Sequence, residues 1–342
     1  MQSDVAVADV RDIYDLTIIG GGPTGLFAAF YAGFREMRTK IIEAMPELGG
    51  QLVTLYPEKY VYDVAAHPEI LSKDLARLLV EQSQRYHPTV CLEEQVQTFE
   101  KRGNIFRLGT TRGEHYTRAI LVSAGVGSFA PNRLPAHNAD KFEGRGVYYF
   151  VRDKAAMSGK RLLIVGGGDS AMDWVLNLRD TAKSIVLVHR RDTFRAHEAS
   201  VKKVLESGIP IYLWTELKEV MGDNEVTGAV IVNTRTKEER LLDVDVILGN
   251  IGFKADLGPL RDWPLEFVGR DIRVDGRMAT SVPGIFAAGD VAMPDGAVKL
   301  NLISIAFAQA VTAVCSAKVY IDPSAKLFPG HTSERLGSSA TS

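Results

Sequence analysis

The sequence predicts an α/β protein made of two nucleotide-binding units, one inserted within the other. Two observations carry this. One strand–glycine turn–helix pattern occurs twice, and a further strand and helix follow the second unit although two such units do not need them. The first copy is Asp15-Leu-Thr-Ile-Ile-Gly20-Gly-Gly22-Pro23-Thr24-Gly25; the second is Arg161-Leu-Leu-Ile-Val-Gly166-Gly-Gly168-Asp169-Ser170-Ala171. The tight turn, the approach of a pyrophosphate to the backbone, and close helix–strand packing each require a small residue. Phosphate then sits on free N–H groups at the helix N-terminus, where the dipole favours negative charge. One such match is weak evidence; two in the required strand–turn–helix context point to two dinucleotides held by one chain.

The rest of the composition narrows the class. A length of 342 residues accommodates two domains with separate cores. Hydrophobic content of 46% and charged content of 24% are those of an ordinary globular protein, and a net charge of −2 gives no reason to expect nucleic acid as a partner. The two cysteines, Cys91 and Cys315, are far apart and in no motif. That argues against a disulfide scaffold, a zinc site and a CxxC redox pair, and it fits a reducing, cytoplasmic setting; nothing in the sequence calls for a metal. The first nine residues carry acids and lack a basic start followed by an apolar run, so they do not read as a signal peptide. Lys299, Asn301, Gln309 and Lys318 interrupt the apolar segment 298–321, which therefore reads as a buried helix and not a membrane span.

In chain order, residues 1–14 form a polar leader, 16–19 a buried strand, and 27–34 the body of the helix opened by the first turn. Residues 39–43 form the next strand, ending in Glu43. It lies 43 − 25 = 18 residues beyond Gly25, near the roughly 20 expected of an acid that binds an adenosine ribose hydroxyl. A long loop follows with Gly49, Gly50, Gln51, Tyr56 and Tyr60. Residues 72–85 have helical periodicity with Ser72 as a cap. Short strands are expected at 89–96, 98–100, 105–108 and 115–117, then a buried strand at 119–123 followed by Phe129.

The second unit has its strand at 161–165, its helix at 170–179 and its next strand at 184–189. That strand ends in His189-Arg190-Arg191, with Arg195 nearby and no acid. Arginines at this position accommodate a 2′-phosphate, which favours NADP(H) over NAD(H). A hairpin at 230–243 and a buried strand at 244–249 complete the unit. The strand at 284–288 ends in Gly289-Asp290, and the long helix from about 298 to 320 follows it. Here the chain is expected to return to the first unit, giving domains of 1–122 with 284–342 and of 123–283. The connections near 119–131 and 280–286 are the expected hinges.

Both fingerprints, the strand ending in Gly289-Asp290 and the inserted unit together resemble the thioredoxin reductase family over nearly the whole chain. One departure matters. That family carries a CxxC pair shortly before the second glycine motif, whereas residues 146–159 here contain no cysteine. This departure, with Gly49-Gly-Gln-Leu52, Tyr56-Pro-Glu-Lys-Tyr60, the run His189 to Glu198 and the tail His331-Thr332, resembles the thioredoxin-reductase-like ferredoxin–NADP(+) reductases. The resemblance implies a homodimer with one non-covalent FAD per subunit. It implies Gly20, Gly22, Pro23, Thr24, Gly25, Glu43, Gly50, Gln51, Tyr56, Val96, Phe129, Gly289, Asp290 and Thr332 around the FAD, with Tyr56 and His331 on opposite faces of the flavin and Thr332 near its N5. It implies Gly166, Gly168, Asp169, Ser170, Ala171, His189, Arg190, Arg191 and Arg195 around NADP(H), with the arginines at the 2′-phosphate.

The function implied is electron transfer between NADP(H) and ferredoxin or flavodoxin, since a flavin exchanges electrons in pairs with nicotinamide and singly with an iron–sulfur carrier. Two alternatives stand beside it: a flavin reductase, diaphorase or disulfide reductase using another acceptor, and a non-catalytic flavin-based redox sensor. Arg152, Lys154, Lys160 and Lys299 are candidate contacts for an acidic carrier.

Overall fold

The computed structural model describes residues 13–333; the expected leader and the tail from 338 lie outside the described residues, apart from residues 13 and 14. The chain divides into two compact units, Met1–Ser128 with Asp256–Ser342, and Phe129–Ala255.

In the first unit, strand β1 (Ile13–Ile19) is buried on both faces over its last four residues, the pattern of a central parallel strand. Helix α1 (Pro23–Phe34) opens on Pro23 after extended Gly22. Proline suits the first helical position because the N–H it lacks would be unpaired there. Then come β2 (Thr39–Ile42), α2 (Ser72–Ser83) and β3 (Thr89–Cys91). Ser72 does not cap α2, as its periodicity reading proposed. Its hydroxyl donates to Lys59 O, and Leu71 occupies the cap position. A meander of β4 (Val96–Arg102), β5 (Ile105–Thr110) and β6 (Glu114–Val122) follows. The expected single strand at 89–96 is broken between Cys91 and Val96, and the two expected at 115–123 are one. The sheet order is β3-β2-β1-β6-β5-β4.

The chain leaves through β7 (Ser128–Pro131). The second unit has a five-stranded parallel sheet in the order β8-β15-β9-β10-β11, formed by β8 (Val147–Tyr148), β9 (Arg161–Gly166), β10 (Ser184–His189), β11 (Ile211–Leu213) and β15 (Val246–Asn250). Between them lie α3 (Asp169–Leu178), α4 (Glu198–Leu205) and an antiparallel sheet of β12 (Thr215–Gly222), β13 (Val226–Asn233) and β14 (Glu239–Asp243). One core holds Leu163, Val165 and Ile247 with Leu217, Val220 and Ile231 of the antiparallel sheet. The other holds Leu162, Ile164 and Leu248 with Met172, Trp174 and Val204 of the helices. Alternate residues of the same strands feed both cores, so the unit is a three-layer ββα sandwich. Its antiparallel layer has three strands; the expected hairpin captured two.

The chain returns through β16 (Phe253–Asp256), which pairs with β7. The return falls at Asp256, not at 284, which is 284 − 256 = 28 residues earlier than expected. The cause is packing. Leu257, Leu260, Trp263, Leu265, Ile272 and Val274 join the core of the first unit. The Trp263 ring meets Phe99 edge-on at 4.6 Å, and its indole N–H donates to Gln97 O at 3.1 Å. Strand β17 (Ile285–Ala287) then pairs in parallel with β6, and α5 (Ile303–Ile321) packs on α1. Helix α5 begins five residues later than expected. It buries Ala306, Ala310, Ala313 and Ala317, while Ile305 and Tyr320 are exposed. By length and composition alone it could cross a membrane. It is therefore not buried on most sides within one chain, as its apolar sequence implied.

Candidate functional sites

The first site grows from the C-terminal end of β1. A side chain at Gly25 would stand 2.0 Å from Gly20 O, so α1 can lie this close to the turn only with glycine there. The Ser123 hydroxyl, at the end of β6, donates to Ile19 O and Gly20 O and fixes the turn from the neighbouring strand. Glu43, buried at the end of β2, accepts from Gly21 N at 2.6 Å through Oε2 and from Met45 N at 2.8 Å through Oε1. Each oxygen keeps a lone pair for a ribose hydroxyl. Gly50 packs against Gly22, and Gly49 N donates to Gly21 O at 2.8 Å, which lays the 49–56 loop along the turn.

That loop brings together residues far apart in the chain. Gln51 Nε2 donates to Asp290 Oδ2 at 3.2 Å. Gly289 lies against Thr24, and its N–H donates to Gln309 Oε1 of α5 at 2.8 Å. Burial first, then the Asp290 and Asp63 carboxylates, push the Tyr56 hydroxyl up to about 12, so it is a neutral phenol throughout the physiological range. Thr24, Gln51, Tyr56, Gly289 and Asp290 thus converge beside the glycine turn. Val96 is buried at the start of β4, two residues past Glu94, whose N–H donates to Glu43 O. The side chain of Phe129 lies outside the described residues.

Lys299 plays a different part from the one expected of it. Its ammonium donates to Asp290 O at 2.7 Å and pairs with Asp271 at 2.6 Å, so it braces the Gly289-Asp290 turn instead of facing a carrier. The His331 ring is edge-on to Phe328 at 5.4 Å, and Arg35, at the opposite end of α1 from the turn, donates to Lys326 O and Leu327 O just before it.

The second site repeats the turn with other neighbours. The His189 ring lies against Gly167, where an added methyl would stand 2.3 Å away; it stacks on Phe194 at 5.1 Å and is within 3.0 Å of Thr193 O. Burial lowers its pKa, and Arg190, Arg191 and Arg195 lower it further. His189 is therefore a neutral platform under the turn. Nothing stands where a side chain of Gly168 would point. Asp169 Oδ1 accepts from His197 N at 2.8 Å, and Ala171 N already donates to Gly168 O, leaving Ser170 as the freer contact of the three. Arg190, Arg191 and Arg195 are exposed, with no ion-pair partner among the described residues. Sequence reasoning missed Asn250. It pairs in register with Gly166, and its buried Oδ1 has no partner among the described residues. A buried acceptor without a donor beside a phosphate turn points to a ligand that supplies one.

The family model described as pyridine nucleotide-disulphide oxidoreductase matches residues 14–310. The chain belongs to this family. It is 52% identical over 324 residues to a ferredoxin–NADP reductase of Sulfurisphaera tokodaii, covering 94% of this chain and 97% of that protein. It is 46% identical over 332 residues to that of Geobacillus kaustophilus, covering 96% and 99%. A thioredoxin reductase structure from Lactococcus lactis matches with a TM-score of 0.73 at 26% identity, covering 90% and 99%. One from T. acidophilum shares the fold with a TM-score of 0.74 at 23% identity, covering 90% and 98%. Within the family the chain falls among the ferredoxin–NADP reductases of thioredoxin-reductase-like type, and it is an oxidoreductase working with a flavin and NADP(H). Its two cysteines are both free: Cys91 ends β3, and Cys315 lies in α5 within 3.5 Å of Arg35 Nη1.

Proposed function

We propose that the flavin is FAD, held without a covalent bond in the first unit, and that the enzyme moves electrons between NADP(H) and ferredoxin or flavodoxin. The observation that carries this reading is the convergence of Thr24, Gln51, Tyr56 and Asp290 beside a turn whose carboxylate, Glu43, is already oriented. A dinucleotide needs both ends of such a cleft: Glu43 for the adenosine ribose, Asp290 and Gln51 for the polyol beyond the pyrophosphate. The flavin supplies exchange of electrons in pairs with nicotinamide and singly with an iron–sulfur carrier.

The chain's own residues bind and orient. Tyr56, with its raised pKa, offers a neutral aromatic face and neither gives nor takes a proton near neutral pH. Arg190, Arg191 and Arg195 select the 2′-phosphate, where a guanidinium fork donates paired hydrogen bonds. No paired cysteines lie in the 146–159 stretch to relay electrons to a disulfide, which favours direct delivery to a carrier protein. The partly exposed apolar sides of α5 support a homodimer, and the free cysteines support a reducing compartment, the cytoplasm.

The test is the visible spectrum of purified protein, then anaerobic NADPH titration and transfer to ferredoxin. Yellow protein that bleaches with NADPH and reduces ferredoxin is the expected result. A colourless protein that FAD cannot reconstitute would overturn the reading.

A further inference from the structure

Beside the first site lies a second buried polar cluster that no step above uses. Lys40, on β2, is buried; its ammonium lies 2.7 Å from His115 Nδ1, on β6, and 4.1 Å from the centre of the Tyr14 ring. An ammonium has no acceptor, so Nδ1 accepts, and His115 Nε2 carries the proton it donates to buried Glu94 at 2.7 Å. The Thr110 hydroxyl donates to the same carboxylate oxygen. Cys91, Glu94 and His115 bring potential metal-ligand atoms within 4.8 Å of one another. Because one imidazole nitrogen accepts from Lys40 and the other is protonated, the ring has no lone pair left for an ion. The cluster is a relay of hydrogen bonds.

The relay ends on the coenzyme acid. Between β3 and β4, Cys91 O accepts from Glu43 N at 2.8 Å, Glu93 N donates to Met45 O at 3.0 Å, and Glu94 N donates to Glu43 O at 3.0 Å. Glu93 is held at φ 52, a left-handed conformation that a non-glycine residue keeps only where its surroundings enforce it. The path runs from Lys40 through His115 and Glu94 and back by the backbone to Glu43, three residues beyond its start.

We infer that Lys40, His115 and Glu94 are positioning residues for Glu43, clamping the 91–94 segment around the acid and thereby setting the affinity of the first unit for the adenosine half of its dinucleotide. The inference rests on the FAD reading above.

The test is the FAD dissociation constant of the purified holoenzyme, read from flavin fluorescence on dilution. His115→Leu should raise it about tenfold, the effect of losing hydrogen bonds to a charged group. His115→Gln can accept from Lys40 and donate to Glu94, and should stay within about twofold of wild type. In a Glu43→Gln background His115→Leu should add less than about twofold, because the two act on one contact. If His115→Leu does not fold, Thr110→Val carries the same test with an expected rise of about threefold. Wild-type affinity in His115→Leu or Thr110→Val, or a full tenfold effect that persists without Glu43, overturns the inference while leaving FAD in place. Failure of the wild type to hold FAD removes the coenzyme reading and this inference with it.

Discussion

The two glycine turns share a backbone and differ in what closes behind them. Behind the first stands a buried carboxylate, tied to Gly21 N and Met45 N, with the Gln51–Asp290 pair further along the cleft. Behind the second stands a neutral, buried histidine, flanked by exposed arginines. The strand–turn–helix scaffold fixes where a pyrophosphate sits. The residues after the next strand decide whether the dinucleotide is enclosed and retained, or met by solvent-facing charge and exchanged. Retention suits a cofactor, and exchange suits a substrate.

The sharpest way to break this contrast is at the turns themselves. Gly25→Val forces atoms into Gly20 O, and the expected product is colourless protein that FAD does not restore. Gly168→Ala meets open space, so the flavin absorbance should be retained while KM for NADPH rises roughly tenfold. Equal flavin loss in both would erase the distinction. Next, Arg190→Ala with Arg191→Ala should lower kcat/KM for NADPH about a hundredfold and leave NADH nearly unaffected, as two charge-assisted contacts are lost. Parallel losses with both coenzymes would remove the phosphate role. Asn250→Leu tests the unpartnered acceptor: KM for NADPH should rise about tenfold with flavin content unchanged.

The smallest effects concern stability, and the two units should differ in sign. Tyr56 has a folded-state pKa raised to about 12, so its unfolded form ionises first, near 10. Denaturant stability of FAD-free protein should be level below about pH 10 and fall toward 12, and Tyr56→Phe should flatten that fall. In the second unit Arg161 holds the Asp245 carboxyl down to about 2 through a two-pronged contact. Its contribution is present above about pH 4 and lost as pH falls toward 2. Because the pair is about a third exposed, Asp245→Asn should cost less than about 1 kcal/mol at neutral pH.

Local chemistry made much of this readable in the sequence. Gly20 to Gly25, Glu43 and the arginines announce themselves by residue type at fixed spacing. The Gln51–Asp290 pair joins residues 239 apart in the chain, and only the family pattern put both at one cofactor. What stayed hidden depends on tertiary partners. Trp263 and its neighbours have no periodicity that says which core they enter, so the return to the first unit was placed 28 residues too late. Asn250 looks like any strand-end amide until its register beside Gly166 is known. Lys299 reads as surface charge until Asp271 and Asp290 O are found around it. Lys40 and His115 are 75 residues apart, and nothing local marks either as part of a relay.

The pairing of Ser128–Pro131 with Phe253–Asp256 has a practical consequence. Neighbouring strands run about 4.8 Å apart, so the insert enters and leaves at almost one point. Residues 129–255 can therefore be treated as a cassette, spliced out with a short linker or exchanged for a relative's segment without re-threading the host. Coenzyme preference should then travel with the insert, a transplantable trait that genetic surgery can test.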